Sequence, residues 1–270
     1  MQPESVISVI ESVADPNLAE DWDQSGVQAA ATRRDIRRLA VALDPTPRCI
    51  TQAIEWHADF ILTHHPLSLK PVLPSRLDNY HTALYLLMSH EVWLYAAHTS
   101  LDVQTLGPVS WLASSLELSD LIPITELKGD GATRAPHGRA GYGVQGRTPV
   151  PWSWSELERE LFRSTGLRGW RQTGAPPGEI RNIAFCPGSG MDLAQTAFQN
   201  GADVFISGDL KYHTAQAIEG LGLTIDVGHF ILEEIMMQTW ADHLHSALGQ
   251  QDVDVTFFPG HDPIACATNE

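Results

Sequence analysis

The chain has 270 residues, 43% hydrophobic and 19% charged, the make-up of a globular protein long enough for one large domain or two small ones. Its formal net charge of −16 leaves no broad basic face to neutralise phosphates, so no nucleic-acid partner is expected. No window approaches about 18 consecutive apolar residues, and the opening MQPESVISVIES lacks a signal peptide's basic start and apolar run; a cytoplasmic location without a membrane partner is expected.

Residues 5–14 place Val6, Ile7, Val9, Ile10 and Val13 on one helical stripe. Turn formers fill the following DPNLAEDWDQSG, where Trp22 is a candidate loop anchor. RRDIRR, residues 33–38, is the one basic cluster and reads as a solvated face. It leads into a strand, RRLAVALD, ending at Asp44. Thr46 is placed to cap the next helix, and Pro47 suits its first turn. DFILTHH is a second strand, residues 77–90 a helix, and VWLYAAH a third strand. This β-α-β-α-β rhythm predicts a sheet with parallel neighbours. Residues 128–151 are less regular, with a strand or hairpin in GRAGYGVQGR. SWSELERELFRSTG is a helix that opens on a capping box, either Ser153 with Glu156 or Ser155 with Glu158. IRNIAFC, MDLAQTAFQNG, DVFISG, LKYHTAQAIEGLG and LTIDVGH then alternate strand and helix. A long helix over 231–248 and a strand in VDVTFF follow. The pattern predicts an α/β fold of two α/β lobes, residues 1–105 with 230–270 in one and 106–229 in the other.

Cys49, Cys186 and Cys266 are odd in number and none sits in a CxxC, which argues against a disulfide scaffold and a zinc ribbon. A metal would therefore take histidine and carboxylate ligands, and three strands end in such groups. ILTHH supplies His64 and His65, LYAAHTSLD supplies His98 and Asp102, and TIDVGHFILEE supplies His229, Glu233 and Glu234. In α/β folds, functional groups collect beyond the carboxyl ends of parallel strands. His229 and Glu233 are four apart, so on a helix both face one way. Adjacent histidines at a strand end point apart and suit two ions better than one. A shared carboxylate would then hold the pair at roughly 3.5–4 Å, as in two-metal hydrolytic sites. A single histidine here would read as a capped or surface residue; three clusters after three apolar strands favour a metal site.

Two further segments have open readings. CPGSGMDL, residues 186–193, is either a plain strand-to-helix turn or an anion cradle built of backbone N–H groups. SGDLKYH places Asp209, Lys211 and His213 after an apolar strand, either as an exposed helix start capped by Asp209 or as groups beside the metals.

DWDQSGVQ resembles the WDNSGLQ-type segment near the start of the Nif-three-like dinuclear metal proteins. ILTHHPL is similar to their HHP strand end, and AAHTSLD resembles their HTNLD segment. CPGSGMDL, ADVFISGDLKYH and DVGHFILEE resemble three more family segments in the same order, so the resemblance runs over residues 20–262. It implies two α/β lobes with a dinuclear metal site in the cleft between them. It also implies two divalent ions per subunit and a toroidal homohexamer, a trimer of dimers. Carried over residue by residue, His64, Asp102 and Glu233 would hold one ion, and His65, His229 and Glu233 the other. Glu234 would be a neighbour and His98 an outer residue. Zinc, iron, manganese and nickel all fit that set. The chain departs from longer family members in having no room for their inserted middle domain, and from the family pattern in Gln24 where Asn is common and in Cys186 before the Gly-Ser-Gly turn.

The implied function is a metal-dependent hydrolase resembling GTP cyclohydrolase I type 2, in which water opens a purine nucleotide ring. Glu233, Asp102 and His98 are the catalytic candidates. Lys211, His213 and Ser189 are candidates for binding a small-molecule substrate, a nucleotide among the options. The alternatives are a metal-handling or regulatory protein without turnover, and a phosphoesterase acting on small organic phosphates.

Overall fold

The structure, a computed structural model, describes residues 1–70, 72–127 and 140–265. Gly138 and Arg139 of the expected hairpin, and Cys266, lie outside the described residues.

The first lobe is a five-stranded sheet in the order β1-β4-β3-β2-β13. Its strands are β1 (Gly26–Ala29), β2 (Arg38–Ala42), β3 (Phe60–Thr63), β4 (Trp93–Ala96) and, from the far end of the chain, β13 (Asp254–Phe257). β13, β2, β3 and β4 run parallel, and β1 closes the β4 edge antiparallel. All four residues of β3 are buried, as expected of an apolar run in a parallel sheet covered on both faces. The helix Pro47–Glu55 joins β2 to β3, with Thr46 Oγ1 accepting from Cys49 N at 3.2 Å and Pro47 in its first turn, as the sequence indicates.

The second lobe is a six-stranded sheet in the order β5-β8-β10-β11-β12-β9, beside a two-stranded ribbon. The ribbon is β6 (Thr125–Glu126) with β7 (Gly141–Tyr142). The six strands are β5 (Ser119–Ile122), β8 (Val144–Trp152), β9 (Arg171–Thr173), β10 (Ile180–Phe185), β11 (Val204–Ser207) and β12 (Leu223–Asp226). β10, β11 and β12 are parallel, and antiparallel strands flank them. The helix Trp154–Thr165 opens on the Ser153/Glu156 capping box, which decides between the two boxes the sequence allows. Nothing in the sequence marks the edge strands β1, β5, β6 and β9 as strands. They are short and lack an apolar run; β9 is Arg-Gln-Thr. Neighbouring strands recruit them, not their own composition.

The long helix His229–Leu248 begins two residues earlier than its apolar pattern suggests, behind Gly228 at φ 85°. It belongs to both lobes. Trp240, Met236 and Met237 join one continuous core with Leu39, Val41, Phe60 and Leu62 of the first sheet and Ile183, Phe185, Val204 and Ile206 of the second. Trp111 Nε1 donates to Leu232 O at 2.8 Å and fastens the helix further. Among the described residues no helix is long and apolar enough to cross a membrane. The RRDIRR cluster is engaged locally: Arg33, Arg34 and Arg37 pair with Asp59, Glu4 and Asp35.

Candidate metal centre

The carboxyl ends of parallel strands from both sheets face one another, and the side chains beyond them form a single cluster around Glu233. His64 and His65 follow β3, His98 follows β4, and Asp102 ends the short helix Thr99–Asp102. His229 and Glu233 lie one turn apart at the start of the long helix. Glu233 is 4% exposed and presents its two oxygens to different partners. Oε1 lies 3.5 Å from His64 Nε2, which is also 3.6 Å from Asp102 Oδ1. Oε2 lies 3.3 Å from His65 Nε2 and 3.0 Å from His229 Nε2. Adjacent in sequence, His64 and His65 thus reach opposite oxygens of one carboxylate.

Each imidazole is oriented through its other nitrogen. His64 Nδ1 donates to Ala97 O at 2.9 Å, His65 Nδ1 to Asp44 at 2.7 Å, His98 Nδ1 to Asp23 at 2.7 Å and His229 Nδ1 to Asp209 at 2.8 Å. All four partners are acceptors, so the Nδ1 atoms carry protons and each Nε2 is left for a metal or a second proton. Metal-ligating histidines are held in this way. Buried within the cluster, His64 Nε2 and Glu233 Oε2 have no hydrogen-bond partner of acceptable geometry. Buried polar atoms of that kind are rare unless an ion or water completes them. His65, His229 and Glu233 offer ligand atoms all within 4.8 Å of one another, and so do His64, His65 and His98. The donor set therefore fits a cation.

The electrostatics agree. Burial opposes ionisation of Glu233, yet the imidazoles around it hold its pKa well below the ordinary value. Burial would depress His65, but Asp44 and Glu233 push it up to about 10. His229 is raised to about 9, chiefly by Glu233 and against burial, with Asp209 adding to the shift. Burial opposes the charging of His64, and Asp102 and Glu233 outweigh it to raise its pKa. Asp102 is itself raised, by burial first and then by Glu233. Without a metal the carboxylate gathers protons onto its neighbours, and a divalent cation would replace them.

Of the ring anchors, nothing in the sequence marks Asp23 or Asp44 as such, whereas Asp209 is open to two readings, a helix cap or a group beside the metals, and the structure puts it beside the cluster. Asp44 was visible as a strand end and Asp209 as part of SGDLKYH. Asp209 does not cap the helix Tyr212–Ile218, whose cap position is Lys211; it takes the left-handed conformation, φ 62°, and faces His229. In DWDQSG the anchor is Asp23, not Trp22, which is 56% exposed with its ring nearly perpendicular to that of His98. Asp23 accepts from Gln24 N, Ser25 Oγ, Thr99 N and Thr99 Oγ1 as well as His98. Burial works against its charge, and the hydrogen bonds from His98, Thr99 and Ser25 overcome it to lower the pKa.

Ser189 and Lys211 line a cavity of about 330 Å³ next to the cluster, together with Arg171, Asp192, Asp209 and Thr214. His213 stands outside that lining, exposed, with Nδ1 3.4 Å from Gln216 on its own helix. Glu234 points away from the cluster, accepting from Gly260 N at 2.7 Å. A larger cleft of about 710 Å³ lies by Val13, Trp111 and Trp240. Its Ser12, Ser110 and Thr239 hydroxyls donate to nearby backbone carbonyls of their own segments, so it offers no comparable convergent ligand set.

A family model, Duf34/NIF3 (NGG1p interacting factor 3), matches residues 1–263. The chain belongs to this family. A relative from Streptococcus pneumoniae named "GTP cyclohydrolase 1 type 2 homolog" is 31% identical over 237 residues, covering 86% of each chain. Among solved structures, a Bacillus cereus protein related to NIF3 superposes with a TM-score of 0.86 at 19% identity, over 99% of both chains. Reduced HcgD from Methanocaldococcus jannaschii gives 0.79 at 26% identity, over 95% of this chain and 97% of that one. The Duf34/NIF3 fold is thus present throughout, with the histidine–carboxylate cluster in the cleft between its two lobes.

Proposed function

We propose that the protein is a dinuclear metal-dependent hydrolase of a small anionic molecule, in which Glu233 would be shared between the two sets of ligands that hold the ions. The observation that carries this reading is the division of Glu233: one oxygen toward His64 and Asp102, the other toward His65 and His229. His64, Asp102 and Glu233 would hold one ion; His65, His229 and Glu233 the other. Two such ions lower the pKa of water and stabilise developing negative charge.

The chain's own groups do the rest. Asp23, Asp44, Asp209 and the Ala97 carbonyl fix the rings, so the ligand atoms need not reorganise. His98, oriented by Asp23, keeps Nε2 free beside His64 and His65 to take up or deliver a proton. Lys211, Arg171 and Ser189 border the adjoining cavity and suit the anionic end of a substrate. The relatives' names make GTP, opened at its purine ring, the first substrate to try. The homohexamer and the cytoplasmic location belong to the same proposal. A second reading, metal handling without turnover, draws support from the exposure of one side: the His229 side chain is 35% exposed, whereas His64 is fully buried. An ion on the His229 side would exchange more readily.

The test is metal content by mass spectrometry on protein purified without chelators or a histidine tag. The expected result is about two ions per wild-type chain and a marked loss in Glu233→Ala. Wild-type protein that takes up no iron, zinc or manganese would overturn the proposal. GTP turnover by the loaded protein, abolished in Glu233→Ala, then separates hydrolase from metal handling.

A further inference from the structure

We infer that Asp226 positions the His229 half of the centre by tying together the two turns that carry His229 and its anchor. The inference rests on the metal reading above. Asp226 ends β12 and is 3% exposed. Its Oδ2 accepts from Leu210 N at 3.2 Å and its Oδ1 from Gly228 N at 3.0 Å. Leu210 follows Asp209, and Gly228 precedes His229. One buried carboxylate thus joins the turns on which the 2.8 Å His229–Asp209 hydrogen bond depends.

Both turns need such a tie. Asp209 holds φ 62° and Gly228 φ 85°, a region that residues with side chains avoid. The turns meet backbone to backbone: a Cβ on Gly208 would lie 2.6 Å from His229 N. The charge of Asp226 is answered by Arg171, its register partner on β9, whose guanidinium pairs with Oδ2. That pairing also gives the polar edge strand β9 a purpose. His64 hangs instead on β3 and the Ala97 carbonyl, whereas the hydrogen bonds of Asp226 go to Arg171, Leu210 and Gly228. Loosening Asp226 would therefore misdirect one imidazole and spare the other. Asp226 contacts no ligand atom of the centre; it acts through Asp209 and His229.

The test is a competition titration of zinc against a chromophoric chelator, with thermal unfolding alongside, on wild type, Asp226→Ala, Asp226→Asn and Asp209→Asn. Asp226→Ala is expected to keep one ion at wild-type affinity and to bind the second about 10–100-fold more weakly, the usual effect of removing an outer partner. Asp209→Asn should lose the same ion. Asp226→Asn, nearly isosteric and able to keep one of the two turn contacts, should fall between and serves if the alanine variant does not fold. Both ions bound as in wild type, in whichever Asp226 variant folds, would overturn the inference. Equal weakening of both ions would overturn it too, because that marks general destabilisation. Wild type without metal removes the metal reading itself, a result seen before any variant is compared.

Discussion

Glu233 sets the chemistry at the scale of single residues. A buried carboxylate that is charged needs partners, and here they are imidazoles rather than arginines. The imidazoles can lose their protons to a metal; guanidinium groups cannot. This gives a pH prediction with a definite sign. In the unfolded chain His65 and His229 titrate near about 6.5. Folded and stripped of metal, they titrate at about 10 and about 9. Their pKa values rise on folding, so the stability they contribute is complete below about pH 6.5 and is lost as pH climbs through about 9 to 10. Chelator-treated protein should therefore show a midpoint temperature that falls across that window. Zinc should remove most of the fall by replacing the protons. A flat profile in the metal-free protein would sink this account of the centre.

At the scale of elements, the turn after β10 holds the centre closed. Gly188, in the Cys-Pro-Gly-Ser-Gly segment, has φ 65°, and a Cβ there would lie 2.1 Å from Glu233 Oε1. The two readings of this turn, plain connector or anion cradle, leave out what it does in the fold: its backbone packs closely against the Glu233 carboxylate. Gly188→Ala should push Glu233 aside and lower metal content toward that of Glu233→Ala, with the far-ultraviolet circular dichroism kept. A full complement of metal in the variant would refute it. The edge strands make a related point. β1, β5 and β9 are short, and neither an apolar run nor a period marks them as strands. They form because β4, β8 and β12 present unpaired backbone edges.

For the whole molecule, the decisive element is the long helix His229–Leu248. Its first turn brings Glu233 into the cleft, and its later turns bury Trp240 at 1% exposure in a core shared by both sheets. Two lobes that share a core should unfold together. A urea titration followed by tryptophan fluorescence and by circular dichroism should give coincident single transitions. Trp240→Ala should lower stability by about 3–5 kcal/mol, the usual cost of emptying a large aromatic site, while the transition stays single. Two separated steps would show that the lobes stand independently.

Much of this was readable in the chain itself. Apolar runs of strand length, most of them alternating with helix-period patterns, identify the parallel strands. Histidine and carboxylate at their ends identify the cluster, because side-chain alternation and helical spacing are local properties. The Thr46 cap is legible for the same reason, and the capping box of the helix Trp154–Thr165 down to two candidates. The ring anchors were not. Asp23 meets His98 across 75 residues, and Asp44 meets His65 across 21. No spacing rule links such partners, and an aspartate in a turn looks alike whether it faces water or an imidazole. Only the packing of two sheets about one helix decided which nitrogen of each histidine is anchored and which oxygen of Glu233 each histidine meets.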